Sequence, residues 1–303
     1  MAIHVVGNLC VDTSFRLERL PAPGETLNAS AAGEGPGGKG VNQAVAAART
    51  GAAVTLWAPV GNDAASGWME TRVAAEIPAR HLHRLAMPCD RSVIMIDRHG
   101  ENAIVTAAAC AQAFDPLAMT TLRQTWLVDD ILLMQGNLQP AVTATCLAAA
   151  RADGLFTILN PSPLSTDPLD LAAVSLVVVN RPEAAALTTE TEPENAVRRL
   201  LAMGAGSAIV TLGNAGALVL EAPSAPAMHL PAGRAEALDT SGAGDCFTGV
   251  LAGLLARGAQ LPDAARIATE AAGIAVERPG TLASFPSRAE LAALTKTLKL
   301  ENV

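Results

Sequence analysis

Short apolar runs alternate with helical patterns along most of the chain. The run Ile3-His4-Val5-Val6-Gly7 predicts a buried strand. Asn8, Cys10 and Asp12 extend it, alternating onto one face. An acid at the end of such a strand is where α/β proteins place ligand groups, although a solvated strand end is the plainer reading. Residues 13–36 change character. Polar and apolar positions alternate loosely around Leu20-Pro21-Ala22-Pro23-Gly24, which predicts short, half-exposed strands outside the main core. Residues 54–59 read as a strand, followed by a Gly-Asn-Asp turn and a helix to about Ile77. Residues 92–96 and 103–105 flank the turn Arg98-His99-Gly100-Glu101 and read as a hairpin, able to join the strands of 13–36 in a small accessory sheet. His99, at that turn, is expected at the surface.

After Pro116 the alternation is steady. Strands are predicted at 131–134, 156–159, 176–179 and 208–212, and helices at 141–151 and 196–203. Continuous apolar strands alternating with helices indicate a parallel sheet covered on both faces. Their carboxyl ends carry polar groups: Gln135-Gly136-Asn137, Asn160-Pro161, Asn180-Arg181-Pro182-Glu183 and Thr211-Leu212-Gly213. That edge is where such sheets bind ligands. The expected fold is α/β, a doubly wound, mostly parallel sheet with a small β-sheet lid. Residues 1–303 form one domain in this reading, with lid strands from about 13–36 and 91–106.

Two glycine-rich loops interrupt the pattern, and each feeds a helix. Asp239-Thr240-Ser241-Gly242-Ala243-Gly244-Asp245 precedes Phe247, Val250, Leu251, Leu254 and Leu255, one buried helix face. Unpaired amides at the helix start, with no side chains in the way, favour an anion. Asp245 is then either a helix cap or a base beside an anion hole, and local sequence favours the cap. The earlier loop runs from Gly33 to Gly40 ahead of Val41, Ala44, Val45 and Ala48, again one helix face. It fits the P-loop spacing, but Gly40 follows Lys39 where a Ser or Thr hydroxyl is needed. It also fits the dinucleotide fingerprint, but Pro36 interrupts it and no buried strand precedes it, so a nicotinamide-dependent oxidoreductase is a remote alternative. Lys39 and Asn42 lie at the helix start, placed for polar ligand groups, and Gly37-Gly38 would let a ligand touch the backbone.

Composition narrows the classes. The 303 residues are 50 % hydrophobic and 17 % charged, with a net charge of −8, no Tyr and no Lys/Arg run, which argues against a nucleic-acid partner. No apolar stretch is long enough to cross a bilayer, and the first residues lack a signal-peptide pattern, so the expected location is cytoplasmic. Cys10, Cys89, Cys110, Cys146 and Cys246 are scattered and without metal-ligand spacing, and read as reduced packing residues. Cys246 alone lies at a helix start that can lower a thiol pKa, with packing still the preferred role.

Taken together, Gly37-Gly38-Lys39-Gly40-Val41-Asn42-Gln43-Ala44, with Gly51 and Gly61, and the Asp239–Asp245 loop resemble the two signatures of the ribokinase-like (PfkB) carbohydrate kinases. The resemblance runs from Gly7 to about Pro286. It implies a ribokinase-like fold and transfer of the γ-phosphate of ATP to a hydroxyl of a small sugar. It implies Asp245 as base, with the amides of Gly242, Ala243 and Gly244 as anion hole; this suits a reaction that needs positioning and charge stabilisation. Asp12, Gly38, Lys39 and Asn42 resemble the sugar contacts, as do the positions of Cys10 and Asn137. Asn180 and Glu183 match an Asn-x-x-Glu motif that arranges Mg²⁺ through water. Thr211, Gly213 and Gly216 resemble the nucleotide segment. Asp239, Ser241, Ala275, Arg278, Gly280 and Ser284 match a monovalent-cation loop, which implies K⁺. Ribose-specific relatives carry Asn and Glu where this chain has Cys10 and Asn137. A thiol and an amide bond hydroxyls less well, which puts ribose in doubt. A nucleoside kinase or sugar-phosphate kinase of the same family is the nearer alternative. A lid edge could pair with that of a second subunit to give a homodimer.

Overall fold

The computed structural model describes residues 1–296 and 298. Its strands are β1 (Ala2–Val6), β2 (Cys10–Arg16), β3 (Ala31–Gly37), β4 (Ala53–Val60), β5 (Arg80–Arg84), β6 (Asp90–Ile96), β7 (Asn102–Ala107), β8 (Ile131–Gln135), β9 (Phe156–Asn160), β10 (Leu176–Asn180), β11 (Ser207–Thr211), β12 (Ala217–Leu220) and β13 (Met228–Leu230). Its α-helices are α1 (Lys39–Arg49), α2 (Ala64–Glu76), α3 (Ala109–Ala113), α4 (Thr120–Gln124), α5 (Pro140–Ala152), α6 (Arg181–Thr188), α7 (Pro193–Ala202), α8 (Ala243–Ala256), α9 (Leu261–Val276) and α10 (Arg288–Leu294).

The main sheet has the order β13-β12-β11-β10-β9-β8-β1-β4-β5, parallel except at the β11–β12 and β12–β13 pairings. Alternate strand residues feed two cores. Ile3, Val5 and Leu56 pack with α1, α2, α8 and α9 on one face, while Val6, Trp57 and Met134 pack with α3 to α7 on the other. The sheet is therefore doubly wound, as the unbroken apolar strands require. The chain builds outward from β1 in one direction through β4 and β5, and in the other through β8 to β11. The β1/β8 junction is the topological switch point, where the carboxyl ends of the strands leave a crevice.

The lid is a separate sheet, β3-β2-β6-β7. Here the first strand differs from its sequence pattern. Cys10 and Asp12 do not continue β1; the chain leaves the main sheet after Val6 and β2 belongs to the lid. The break is held by Asn8, which is buried and accepts the Gly40 N–H on Oδ1 at 3.2 Å. β5 has no strand signal in the sequence because it is a polar edge, Arg-His-Leu-His-Arg; Leu82 packs on one core, while His81 stacks on Trp57 at 3.9 Å and His83 lies against Phe114 on the other.

Helices α1 and α8 lie against each other closely enough to exclude side chains. A Cβ on Gly249 would sit 2.4 Å from the Gln43 carbonyl oxygen, and one on Gly253 would sit 2.4 Å from Thr50 Oγ1. Both helices begin at a glycine loop, so this contact fixes the two loops relative to each other.

Candidate active site

Asp245 is the third residue of α8 and is buried. It is not the helix cap. Gly242 holds that position with φ 77°, a left-handed backbone, and a Cβ there would meet the Phe285 ring at 3.1 Å. The Asp245 carboxylate is instead held by the first turn of α1. Asn42 Nδ2 donates to Oδ2 at 3.0 Å, Gln43 Nε2 donates to Oδ1 at 2.9 Å, and Lys39 Nζ stands 3.8 Å from Oδ1. Positions 39, 42 and 43 share one helix face, so three side chains converge on one carboxylate. Gln43 also donates to Asn160 Oδ1 at 3.0 Å and accepts from Gln135 Nε2 at 3.0 Å. Asp245 is thereby tied to the ends of β8 and β9.

A cavity of about 250 Å³ opens beside this carboxylate. Lys39, Asn160, Asn180, Glu183, Thr211, Ser241, Gly242, Gly244 and Asp245 border it, with Asn102 and Ile104 of the lid. The volume suits a reacting group rather than a whole nucleotide. Ala243 does not border it, and its N–H is directed to the Thr240 carbonyl at 3.3 Å. The glycines on either side are therefore the better anion-hole donors. A slightly larger cavity, about 290 Å³, lies near Leu138, Leu147 and Leu187; it is mainly apolar and lacks such a loop.

Asn180 and Glu183 form a reciprocal capping box at the start of α6. Asn180 Oδ1 accepts the Glu183 N–H at 2.8 Å, and Glu183 Oε2 accepts the Asn180 N–H at 2.9 Å. The motif is structural in this sense, yet it also sets a carboxylate on the cavity wall facing the α8 terminus. Thr211 ends β11 on the same wall. Gly216 does not open onto the cavity; a Cβ there would meet the Leu230 carbonyl oxygen at 1.9 Å, so β13 requires this glycine. Gly213 has open space at its Cβ position.

The family model for pfkB family carbohydrate kinases matches residues 2–288. This chain belongs to that family. It is 29 % identical to mouse ribokinase, covering 96 % of this chain and 93 % of that one. It is 29 % identical to a deoxyribokinase from Salmonella typhi, over 95 % and 96 % of the two chains. The crystal structure of a ribokinase from Cryptococcus neoformans in complex with ADP is 30 % identical and superposes with a TM-score of 0.83, covering 98 % of this chain and 99 % of that one. The chain is thus a carbohydrate kinase of the ribokinase-like group with the fold expected for it.

At the lid end of this kinase, Asp12 is mostly buried, and burial raises its carboxyl pKa above the ordinary carboxylate value. Bonds from Cys10 and Ser92 oppose the rise, the Asp245 charge adds to it and Lys39 opposes it. Cys10 is buried, and its thiol donates to Asp12 Oδ1 at 3.1 Å and contacts Ser92 Oγ at 3.3 Å. Burial, then the Asp12 charge, push the Cys10 thiol pKa well up. The Cys10 thiol is thus engaged by Asp12 and Ser92. Gly37 is needed for the Asp12 carboxylate, which a Cβ would meet at 1.9 Å, and Gly38, with φ 99°, packs on Asn8. These glycines make way for the protein's own side chains, not only for a ligand's approach. Asn137 Oδ1 and Asn42 Oδ1 are buried acceptors with no hydrogen-bond partner, available to a hydroxyl donor. Cys246 is a packing residue; burial drives its thiol pKa up, not down.

The residues matched to a monovalent-cation loop come together only in part, and their donor set does not fit a cation. Asp239 is completely buried. Its Oδ1 accepts the Ser241 N–H at 3.0 Å, and its Oδ2 accepts the Gly280 N–H at 2.9 Å and Arg16 Nη2 at 2.8 Å. The Ala275 carbonyl already accepts the Glu277 and Arg278 amides. The Arg278 side chain is paired with Glu290, and Ser284 Oγ donates to the Thr281 carbonyl. A cation at Asp239 would meet an arginine in its place.

Four residues have little or no local signal. Gln43, Asn160, Asn102 and Arg16 bind to the Asp239–Asp245 segment or its partners across 117 residues or more of sequence. Asn160 was visible only as a polar strand end, and Gln43 only as a second amide beside Asn42 in an apolar helix.

Proposed function

We propose that this carbohydrate kinase transfers the γ-phosphate of ATP to a hydroxyl of a small sugar. The observation that carries the reading is the buried Asp245 carboxylate, oriented by Asn42 and Gln43, beside a cavity bounded by Gly242, Gly244, Asn180 and Glu183. The acceptor hydroxyl oxygen attacks the γ-phosphorus, the bond from that phosphorus to the β–γ bridging oxygen breaks, and ADP leaves. Asp245 takes the hydroxyl proton. The amides of Gly242 and Gly244, with Ala243 as a lesser contributor, stabilise charge on the transferring group. Lys39 adds positive charge at the same point. Thr211 and Gly213 border the nucleotide side. Glu183 is a hard oxygen ligand on the phosphate side of the cavity, which suits Mg²⁺ held through water. When bound, Mg²⁺ neutralises phosphate charge.

Asp12, with the unpartnered acceptors of Asn42 and Asn137, forms the sugar-binding end. Its acceptors outnumber its donors, so it suits a polyhydroxylated ligand. The Cys10 thiol is spent on Asp12, which leaves one fewer polar contact for a hydroxyl than a ribose-binding Asn would give. A pentose lacking a hydroxyl there, as for the deoxyribokinase relative, is favoured over ribose.

An acceptor screen with ATP tests this: ribose, 2-deoxyribose, other small sugars, sugar phosphates and nucleosides. A deoxypentose should give the highest kcat/KM. Preference for a nucleoside or sugar phosphate would replace the acceptor assignment. Asp245→Asn should leave sugar and ATP binding near normal and abolish turnover; undiminished turnover would refute the base assignment.

A further inference from the structure

Among the described residues, the only ion pair of Asp239 comes from the lid. Arg16 ends β2, one of the two inner lid strands, which also carries Cys10 and Asp12. Its guanidinium reaches Asp239 Oδ2 at 2.8 Å, and it is partly exposed while the carboxylate is not. Asp239 opens the loop that runs through Ser241 to Gly242 and into α8. Its carboxylate also gathers the Ser241 and Gly280 amides, so it clamps the start of that loop to the turn after α9. Two neighbouring contacts join the lid to the same loop. Thr240 Oγ1 donates to the Gly100 carbonyl at 3.0 Å, and Asn102 Nδ2 donates to Ser241 Oγ at 3.3 Å.

A fully buried carboxylate requires compensating charge or donors. Among the described residues, two amides supply part of that compensation and Arg16 supplies the only full positive charge. A guanidinium keeps its charge at any working pH and is weakly hydrated, so it leaves water for a protein carboxylate at low cost. A potassium ion bound to the same oxygens would face Arg16 at like charge in a dry setting, and the two exclude each other.

We propose that Arg16 is the resident cation of the anion-hole loop, a positioning residue that takes the place of a monovalent metal ion. The kinase therefore needs no K⁺. Because Arg16 is carried by the lid, the lid strand itself holds the start of the loop. Only the activity arm of the test below depends on the kinase reading.

Thermal melting is compared in KCl, NaCl and choline chloride at equal ionic strength, for the native chain, Arg16→Met and Arg16→Lys. The native chain should melt at one temperature in all three salts. Arg16→Met should melt lower in choline chloride and recover with KCl more than with NaCl. Arg16→Lys should stay near the native value. Native stabilisation by K⁺ over choline would overturn the proposal, and so would an Arg16→Met variant that K⁺ does not raise. In turnover, the native enzyme should change less than about twofold between KCl and choline chloride. Arg16→Met should lose roughly tenfold or more in kcat, with little change in the sugar KM, and regain it with K⁺ or guanidinium ion. Should Arg16→Met fail to fold, the native salt comparison and Arg16→Lys still decide. A K⁺-activated native enzyme refutes the Arg16 role alone. Salt-independent melting with no turnover on any acceptor refutes the kinase reading alone.

Discussion

Gln43 is the residue whose removal tests the site most sharply, because it touches no substrate in this account. It is fully buried, donates to Asp245 Oδ1 at 2.9 Å and to Asn160 Oδ1 at 3.0 Å, and accepts from Gln135 at 3.0 Å. Gln43→Leu keeps most of the volume and deletes all three bonds. Two neutral amide groups lose a partner inside the protein, at about 1 kcal/mol or more each, and the Asp245 carboxylate loses a charge-assisted bond of about 1.5–3 kcal/mol. Replacing Gln by Leu regains some apolar burial, so the net loss should be about 3–4 kcal/mol of unfolding free energy. Urea unfolding measures it. The catalytic effect is separate. Asp245 keeps Asn42 on Oδ2 but loses its hold on Oδ1 and can rotate, and such misorientation costs about 10²-fold in kcat. Sugar KM should change little. In a double-mutant cycle with Asp245→Asn, the Gln43→Leu loss in kcat should largely vanish, since the oriented base is already gone. Full additivity of the two losses would refute the orienting role, and a stability change below about 0.5 kcal/mol would refute the hydrogen-bond geometry.

Asp12 has a carboxyl pKa raised by burial, so its charged form is disfavoured in the fold. Its cost to stability is fully present above the raised value and disappears below the unfolded value of about 3.9. Asp12→Asn should therefore melt higher than the native protein near pH 7 and match it at acid pH, while sugar KM rises roughly tenfold or more; a variant less stable at pH 7 would contradict the shift. Native sugar affinity should weaken as pH falls at a pH above the ordinary carboxylate range, and Asp12→Asn should lack that limb. On the outer lid, Val93 and Val105 are exposed and paired across β6 and β7, Val105 by 67 %. If lids pair between subunits, Val105→Glu should halve the mass measured by light scattering; an unchanged mass, or a native monomer, would dispose of the lid-mediated dimer.

Much of this protein is written locally. The continuous apolar strands β8 to β11 have no solvent face, so their sequence shows a buried parallel sheet directly. The two glycine loops announce helix starts because few other residues tolerate φ near 77° or 99°. The break after Val6 was hidden, since Cys10, Val11 and Asp12 alternate as well in a lid strand as in a core strand, and only Asn8 bonding to Gly40 ends the first one. β5 was invisible because an edge strand need not be apolar. The local sequence leaves Asp245 open as cap or base, since sequence cannot show that Gly242 already caps the helix. Gln43 and Arg16 lie 202 and 223 residues from their carboxylate partners, and no periodicity reports a pairing at that range.

The glycine contact between α1 and α8 divides the labour of change within the protein. Asp245, the Asn42 and Gln43 amides that hold it and the Gly242–Gly244 turn are all referenced to one helix pair, in close contact at Gly249 and Gly253. In the proposed function acceptor choice rests on Asp12, Cys10 and Ser92, which stand on a different sheet. Descendants of such a chain can rewrite the lid strands and acquire new sugars while the chemistry stays in register. A Gly249→Ala replacement would do the opposite, spreading the two helix starts and disabling every substrate at once. The fold thus sorts its own sequence into a part that can drift and a part that can hardly drift at all.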